Sequence, residues 1–473
     1  MRIPRRLAVA VTTGAVATLA LAAPALGTES AAISAYSVAA PTSVARSGLV
    51  ARAVVPAGST CPDLVADGRR YRTRARLPAA STSPAFAPIL VCSRNVPAGA
   101  TSASIGGLVI PAAMPKSVER ITMFGDTGCR IWPLPFPTQN CASPTAWPLA
   151  ALSRRVALER PDVVVFTGDF FYRETACSDE YQAFCGNSPP PPPLTSGETD
   201  SAYGWMADTL VPMAPMLRTA PIVMVRGNHE ACGRAGVGFF LLMDPRPNTA
   251  QWCNDLNAPP TNAYAVDLPL AGSARRTLRL VVADSADGSD TKVSSAEPSL
   301  RTMYTGAQAL AAPAAGRQSW LLTHRPIFAL VSESLAGTGS QWSSEDQTAA
   351  SAGLISRYGM ILSSHIHLAQ SVQIPGQPGQ LVLGNGGTML DESPTAIPSY
   401  GPLQTPQGVP LSPDVAPFPT ATAMWSSSTF GYATAVPTAR GGAWTIVNRD
   451  TAGRVFARCN VANQTIACQE ATR

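Results

Sequence analysis

Seven short apolar runs, separated by stretches with helical periodicity, occupy the middle of this 473-residue chain. The runs are residues 121–124, 163–166, 222–225, 278–283, 320–322, 360–362 and 381–383. Strands have this uniformly apolar character when both of their faces are covered. Between the first two runs, residues 145–160 have the pattern of a helix that ends before Pro161. The alternation predicts an α/β fold with a buried sheet, in a core that spans residues 116–392.

The segments on either side of this core differ from it in composition. Residues 28–60 are rich in Ala, Ser and Val and predict a flexible leader. Residues 61–115 hold short apolar runs between Pro and Gly, which predicts a small β-rich N-terminal segment. Residues 393–428 are rich in Pro and Ser and predict a surface excursion, and residues 429–473 predict a C-terminal β unit.

The first 27 residues have the three parts of a secretory signal peptide. Arg2, Arg5 and Arg6 precede an apolar stretch at residues 7–23, and small residues follow at residues 23–27. We therefore expect residues 1–27 to be removed and the mature protein to be secreted or periplasmic. No later apolar run is long enough to span a membrane.

The ten cysteines are even in number and include no C-x-x-C pair. In an exported chain this pattern indicates disulfides rather than a zinc ribbon. The spacing suggests five pairs of sequence neighbours, and these are Cys61 with Cys92, Cys129 with Cys141, Cys177 with Cys185, Cys232 with Cys253, and Cys459 with Cys468.

The charge balance gives little indication of a partner. The formal net charge is +5, and the only lysines are Lys116 and Lys292. No basic run is typical of a nucleic-acid tract. The sequence leaves the oligomeric state open.

Polar residues with metal-binding side chains follow five of the predicted strands. They are Asp126, then Asp169 and Tyr172, then Asn228, His229 and Glu230, then His324, and finally His365 and His367. All four histidines of the chain lie at these strand ends. Active sites of open α/β sheets gather at strand ends, so this distribution indicates one site rather than scattered surface residues.

The residue types define the chemistry of the site. Carboxylate oxygens together with imidazoles suit a divalent or trivalent first-row metal, whereas a soft site would need thiolates. A shared carboxylate can bridge two cations about 3.5–4 Å apart, the arrangement that clamps the attacking and leaving oxygens in phosphoryl displacement. Asp169, beside a tyrosine, is the natural bridge.

The motifs resemble those of the calcineurin-like metallophosphoesterase superfamily, in its purple acid phosphatase-like branch. The family pattern D-x-G, G-D-x-x-Y, G-N-H-E, a histidine after a strand, and G-H-x-H is matched in order by residues 126–128, 168–172, 227–230, 324 and 364–367. Ser364 stands where the family usually has glycine. The resemblance implies a four-layer α/β/β/α sandwich, with small β appendages at both ends of this chain.

The resemblance also implies two metal ions. It assigns Asp126, Asp169, Tyr172 and His367 to the first ion, and Asp169, Asn228, His324 and His365 to the second. The Tyr172 phenolate favours Fe(III) in the first position, and Zn, Fe or Mn remain open for the second.

Four further residues are catalytic candidates. The resemblance places His229 near the substrate phosphate as a donor or general acid, with Glu230 orienting it. Arg130 and Arg226 are candidate phosphate clamps, with surface ion pairs as the alternative.

The resemblance implies hydrolysis of a phosphate ester by attack of a metal-activated hydroxide on phosphorus. We therefore expect a small phosphorylated substrate, with phosphomonoesters favoured. A phosphodiesterase or nucleotidase on the same fold is one alternative. A secreted binding protein with a structural metal site is an alternative of another class.

Overall fold

The computed structural model of the chain describes residues 31–78, 83–132, 138–175, 177, 183–185, 200–249, 251–272, 276–290, 292–330, 341–342, 345–394, 421–438 and 442–471. The predicted signal peptide and most of the predicted excursion at 393–428 lie outside these residues. The strands are β1 Ser34–Ala39, β2 Leu49–Pro56, β3 Leu64–Ala66, β4 Arg69–Tyr71, β5 Arg74–Arg76, β6 Ile89–Asn95, β7 Ala103–Ile105, β8 Leu108–Val109, β9 Ile121–Phe124, β10 Val163–Phe166, β11 Ile222–Met224, β12 Tyr264–Pro269, β13 Thr277–Val282, β14 Arg317–Leu322, β15 Ala329–Leu330, β16 Gln341–Trp342, β17 Met360–Ser363, β18 Ala369–Gln373, β19 Gln380–Leu383, β20 Ala423–Ser427, β21 Gly431–Pro437, β22 Trp444–Asp450, β23 Val455–Ala462 and β24 Thr465–Glu470.

The helices are short apart from two. They are α1 Ser83–Phe86, α2 Leu149–Glu159, α3 Ala202–Trp205, α4 Ala214–Leu217, α5 Gly236–Gly238, α6 Glu297–Leu310 and α7 Glu345–Ser351. Single π-helical turns at Met206–Leu210 and Phe239–Met243 continue α3 and α5. Helix α2 lies within the range 145–160 that the sequence predicts.

Two large sheets form the core. The first has eleven strands in the order β24-β23-β22-β21-β9-β10-β11-β1-β2-β6-β5, and the second has seven in the order β12-β13-β14-β17-β19-β18-β20. Strands β9, β10, β11 and β1 are parallel, as are β13, β14, β17 and β19. The predicted α/β class is therefore confirmed, and all seven predicted strands are present.

Alternation of side chains along the strands sets the order of layers. Met123 and Val165 of the first sheet belong to the same buried cluster as Leu280 and Leu322 of the second. The next residues along these strands point away from that interface: those of the first sheet pack on α2 and α3, and those of the second pack on α6. The layers therefore run helix, sheet, sheet, helix.

The N-terminal expectation is wrong for residues 28–60. Residues 34–56 form β1 and β2, which lie side by side within the large sheet and are almost wholly buried. The alanines of β2 face a small four-stranded sheet of β4, β3, β7 and β8, while Arg52 on the other face donates to the backbone carbonyls of Leu241 and Leu242. These strands contain small residues and a buried arginine, so their sequence lacks the continuous run of large apolar residues from which a buried strand is predicted.

The C-terminal residues also belong to the large sheet instead of forming a separate appendage. Strands β21–β24 are antiparallel, and β21 pairs directly with β9. N-terminal and C-terminal strands thus extend the large sheet at its two edges. The parallel strands at its centre, which include β9, β10 and β11, are the ones followed by predicted site residues.

All five predicted disulfides are present. Within the part of the chain that the structure describes, no helix has the length and apolar character needed to cross a bilayer.

Candidate metal centre

The predicted ligands converge where the parallel strands of both sheets end. Asp126, Asp169 and His365 follow β9, β10 and β17, and each has a left-handed backbone, with φ of 54°, 58° and 75°. Such values are uncommon outside glycine and persist only where surrounding contacts enforce them. Here the turns cross-link one another, since the Asp126 amide donates to the Gly168 carbonyl at 2.9 Å and the His365 amide donates to Asp126 Oδ2 at 2.9 Å.

One group of side chains surrounds the hydroxyl of Tyr172. Its Oη lies 2.9 Å from Asp126 Oδ1, 2.7 Å from Asp169 Oδ2 and 2.9 Å from His367 Nε2. Tyr172 and Asp126 are fully buried. Four side chains from three different strand ends thus point donor atoms at one small volume.

A second group surrounds the side-chain oxygen of Asn228. Asn228 Oδ1 lies 2.8 Å from His324 Nε2 and 2.7 Å from His365 Nδ1. His324 Nε2 is also 3.2 Å from Asp169 Oδ2, and one ligand atom from each of Asp169, His324 and His365 fits within 4.8 Å of the others. Asp169 Oδ2 therefore contacts both groups.

Partners on the far side of the rings hold two of these imidazoles. His324 Nδ1 donates to the Thr167 carbonyl at 2.9 Å, which leaves the lone pair of Nε2 directed at Asn228 and Asp169. Ser364 Oγ donates to the same carbonyl at 2.8 Å, so serine fills the usual glycine position with an added hydrogen bond. His365 Nε2 lies 3.3 Å from Asp290 Oδ2, which directs Nδ1 inward.

The electrostatics of the cluster favour bound cations. Burial, and next the charge of Asp169, raise the pKa of Asp126 well above its usual value. Burial followed by the charges of Asp126 and Asp169 likewise raises the pKa of Tyr172. Burial and then Arg130 lower the pKa of His367, and burial lowers that of His365 to about 4, so both rings are neutral. Neutral imidazoles facing crowded oxygens form a donor set that suits first-row metal cations, and the residues present fit two of them.

His229 lies beside this cluster and has its own set of partners. Its ring contacts the Tyr172 ring, with centroids 3.8 Å apart, and its Nε2 is 3.9 Å from Asp169 Oδ2. Its Nδ1 lies 2.8 Å from Glu174 Oε1, and Arg234 pairs with the same carboxylate. The Glu174 contact holds the ring so that Nε2 faces the metal cluster.

The predicted role of Glu230 in orienting His229 is wrong. The Glu230 carboxylate is fully buried and accepts hydrogen bonds from the amides of Asp169, Phe170, Phe171 and Gly227, at 2.9, 2.8, 3.1 and 2.9 Å. Four amide donors fill the four acceptor positions of the Glu230 carboxylate, so no lone pair is left to accept a hydrogen bond from the His229 imidazole. Glu230 braces the turn that carries Asp169.

The two candidate arginines have different positions. Arg226 is buried and is held by Asp284 at 2.9 Å and Asp287 at 2.5 Å, so the prediction of a phosphate clamp is wrong for this residue. Arg130 lies at the metal cluster, with Nη2 3.2 Å from His367 Nδ1 and its guanidinium over the Tyr172 ring.

Sequence reasoning missed four charged residues around the site. Glu174 and Arg234 contact His229, while Asp290 and Arg325 contact His365. Glu174 stands two residues after Tyr172 and Arg325 directly follows His324, so proximity to a motif is the signal that could have found them. Arg234 and Asp290 lie in loops without any motif.

Comparisons with known proteins agree with this geometry. Residues 119–369 match the family model of the calcineurin-like phosphoesterases. No curated protein sequence matches the chain. Among solved structures, the chain is similar to the purple acid phosphatase PPD1 from yellow lupin (Lupinus luteus) seeds, with 13% identity, a TM-score of 0.53, and coverage of 92% of this chain and 74% of that chain. It is also similar to PhoD, with 10% identity, a TM-score of 0.53, and coverage of 95% and 94%. At these identities the two likenesses show a shared fold.

Proposed function

Because the chain belongs to the calcineurin-like phosphoesterase family and is a metal-dependent phosphoester hydrolase, we propose that it uses two metal ions and prefers phosphomonoesters. Asp126, Asp169, Tyr172 and His367 would hold the first ion, and Asp169, Asn228, His324 and His365 the second. The Tyr172 phenolate favours Fe(III) in the first position, with Zn, Fe or Mn in the second.

The position of Asp169 carries this proposal. Its Oδ2 is 2.7 Å from Tyr172 Oη in one donor group and 3.2 Å from His324 Nε2 in the other. A carboxylate between two donor groups is the arrangement that supports a pair of cations a few ångströms apart. When bound, the cations act as Lewis acids that lower the pKa of water and offset phosphate charge.

His229 and Arg130 have the positions of substrate-binding groups. His229 Nε2 faces the cluster while Nδ1 contacts Glu174, so the imidazolium form, with a proton on each nitrogen, can donate a hydrogen bond from Nε2 to a phosphoryl or leaving-group oxygen. Arg130 supplies a fixed positive charge on the His367 side of the cluster. Together they would orient the ester and stabilise the charge that develops on its oxygens.

Export to an oxidising compartment is part of the proposal. The five disulfides support it, because such bonds persist outside the reducing cytosol. The signal-peptide pattern in residues 1–27 supports it independently.

The experiment is a substrate panel on the purified mature protein, after metal analysis. Release of phosphate from p-nitrophenyl phosphate is compared with cleavage of bis-p-nitrophenyl phosphate and of nucleoside monophosphates. We expect two metal ions per chain and faster cleavage of the monoesters. Faster diester cleavage would favour a phosphodiesterase, and specificity for nucleotides would favour a nucleotidase.

Asp169→Asn tests the shared carboxylate, with the exposed Asp255→Asn as the matched control. Loss of the bridge should reduce activity by more than about a hundredfold, since a group that holds the reacting constellation is removed. The control should retain full activity. A metal-loaded wild type without activity on any ester would instead support a binding protein with a structural metal site.

A further inference from the structure

An arginine-rich groove lies on the N-terminal strands, away from the metal cluster. It consists of two adjoining cavities of about 920 and 600 Å³, which share Arg74, Ala75 and Arg94 in their walls. Arg46 completes the larger cavity and Arg72 the smaller one. Arg46, Arg72, Arg74 and Arg94 are exposed, and we call the combined space the arginine groove.

The exposed arginines of this groove share its walls with uncharged residues in the part of the chain that the structure describes. Among the described residues, no Asp or Glu lines either cavity. Arg94 donates to the backbone carbonyl of Arg72 at 3.3 Å, a contact that brings the two side chains together without neutralising them. An exposed cluster of like charges is unfavourable by itself and attracts an anion of matching shape.

A buried layer of arginines beneath the groove adds to this charge. Arg76 forms part of the groove wall and donates to the Phe240 carbonyl at 2.6 Å and the Arg246 carbonyl at 2.9 Å. Burial, and next the charge of Arg52, lower the pKa of Arg76 to about 9, so it stays charged at neutral pH. Asp244 is the carboxylate that offsets these groups, and it is already paired with Arg246 at 2.5 Å.

Strand pairing places the groove in the same large sheet as the first metal ligands, but away from the strand ends that carry them. Strand β1 runs parallel to β11, with Val38 beside Ile222, and β2 and β6 follow with Leu49 beside Ala39 and Asn95 beside Val50. The end of β6 is therefore level with Ile222, the first residue of β11, and lies three strand spacings from it, or about 14 Å.

We propose that the arginine groove binds a linear polyanion with repeating phosphate groups. Guanidinium groups bind phosphate oxygens in a bidentate manner, and several arginines along a groove match several successive anions. The walls contain one aromatic residue, Tyr71, rather than the series of rings on which nucleobases stack. The ligand is therefore recognised by the phosphate groups of its backbone and not through nucleobases. Binding does not depend on the proposed function, but the choice of phosphate over other oxyanions rests on it.

The test is the anisotropy of fluorescently labelled inorganic polyphosphate added to the mature full chain carrying Asp169→Asn, which prevents turnover. The double variant Arg74→Gln/Arg94→Gln should raise the dissociation constant by roughly two- to thirtyfold, since each exposed charge pair contributes about 1.4- to 5.4-fold. The dependence of log K on log salt should become shallower by roughly one to two units. A thermal melt of each variant verifies folding.

The matched control is Arg301→Gln/Arg357→Gln, which removes the same charge from an exposed surface elsewhere. Like Arg94, each of these arginines donates to a backbone carbonyl, at 3.4 and 3.2 Å. The control should change the dissociation constant by less than about twofold. Equal weakening by both double variants, or no binding by the chain at low salt, would overturn the groove assignment.

Two competitor polymers test the ligand class. Dextran sulfate at equal charge should displace polyphosphate poorly, and displacement as effective as by polyphosphate itself would overturn the choice of phosphate. Oligothymidylate should bind no more tightly per phosphate than polyphosphate does, and the reverse order would overturn recognition through backbone phosphates without a contribution from nucleobases. Neither outcome bears on the proposed hydrolytic function, which is measured separately on small esters.

Discussion

Glu230→Gln tests whether Glu230 braces the turn that carries Asp169 or orients His229, the role that the sequence motifs predict for it. The substitution keeps size and shape but replaces one carboxylate oxygen by an NH₂ group. In the native chain, Oε2 accepts from the amides of Asp169 and Gly227, and Oε1 accepts from those of Phe170 and Phe171.

The expected loss of stability follows from this count. A glutamine oxygen can satisfy one pair of amides, and the other pair then faces an NH₂ group and loses its acceptor. Each buried donor left without a partner costs about 1–3 kcal/mol, so two of them cost roughly 2–6 kcal/mol. The strained turn at Asp169, with its φ of 58°, loses the contacts that hold it. We therefore expect weaker metal binding as well as lower stability.

The assay is urea unfolding of metal-free protein, followed by calorimetric titration with metal. Glu119→Gln, at an exposed position, is the control and should lie within about 0.5 kcal/mol of the wild type. Glu174→Gln, at the carboxylate that contacts His229, should lower kcat and also lower the unfolding midpoint, because it removes the ion pair with Arg234.

One result would refute this reasoning. If Glu230→Gln unfolds at the wild-type urea concentration and binds metal with wild-type affinity but has a much lower kcat, Glu230 acts through His229. Its hydrogen bonds to the backbone amides would then contribute little to stability or to metal binding.

Three further predictions use independent measurements. Tyr172→Phe should abolish the broad visible phenolate-to-iron band expected of the aerobically purified protein, and a colourless, active wild type holding only Zn or Mn would contradict Fe(III) at that position. Thiol titration of denatured, unreduced protein should find no free cysteine, and reduction should lower activity because Cys232–Cys253 closes the segment after His229; ten titratable thiols would contradict both statements. Burial would raise the pKa of Asp244, but Arg246 and hydrogen bonds hold it below its usual 3.8. Its stabilising effect is therefore present above that pH and lost on further acidification, so the stability difference between wild type and Asp244→Asn should be largest at neutral pH and shrink below about pH 4.

The metal cluster was predictable because its residues follow strands. Parallel strands end at one edge of a sheet, so Asp126 and Asp169 had to meet in one sheet, and His324 and His365 in the other, once the strands were recognised from their apolar runs. The packing of the two sheets, which brings the two pairs together, was decided by the tertiary structure. The five disulfides were predictable for a related reason, since each joins cysteines that are neighbours along the chain.

Partners that come from separate parts of the chain were decided only by the tertiary structure. Glu230 stands beside His229 in sequence, yet its carboxylate turns to amides about 60 residues earlier, and Glu174 takes the place beside the imidazole. Arg226 has the sequence position of a phosphate-binding arginine, but in the folded chain Asp284 and Asp287 pair with its guanidinium group.

The arginine groove is another feature that depends on the tertiary structure and not on local sequence. Five of the eight residues from 69 to 76 are arginines, but only Arg69 and Arg70 are adjacent and the others alternate with Tyr71, Thr73 and Ala75. The pairing of β5 with β6, which sets Arg74 beside Ser93, brings some of them together with Arg94 in one groove. Residue types and strand ends are local properties that a sequence carries by itself, whereas the neutralisation of a charge depends on which distant segment packs against it.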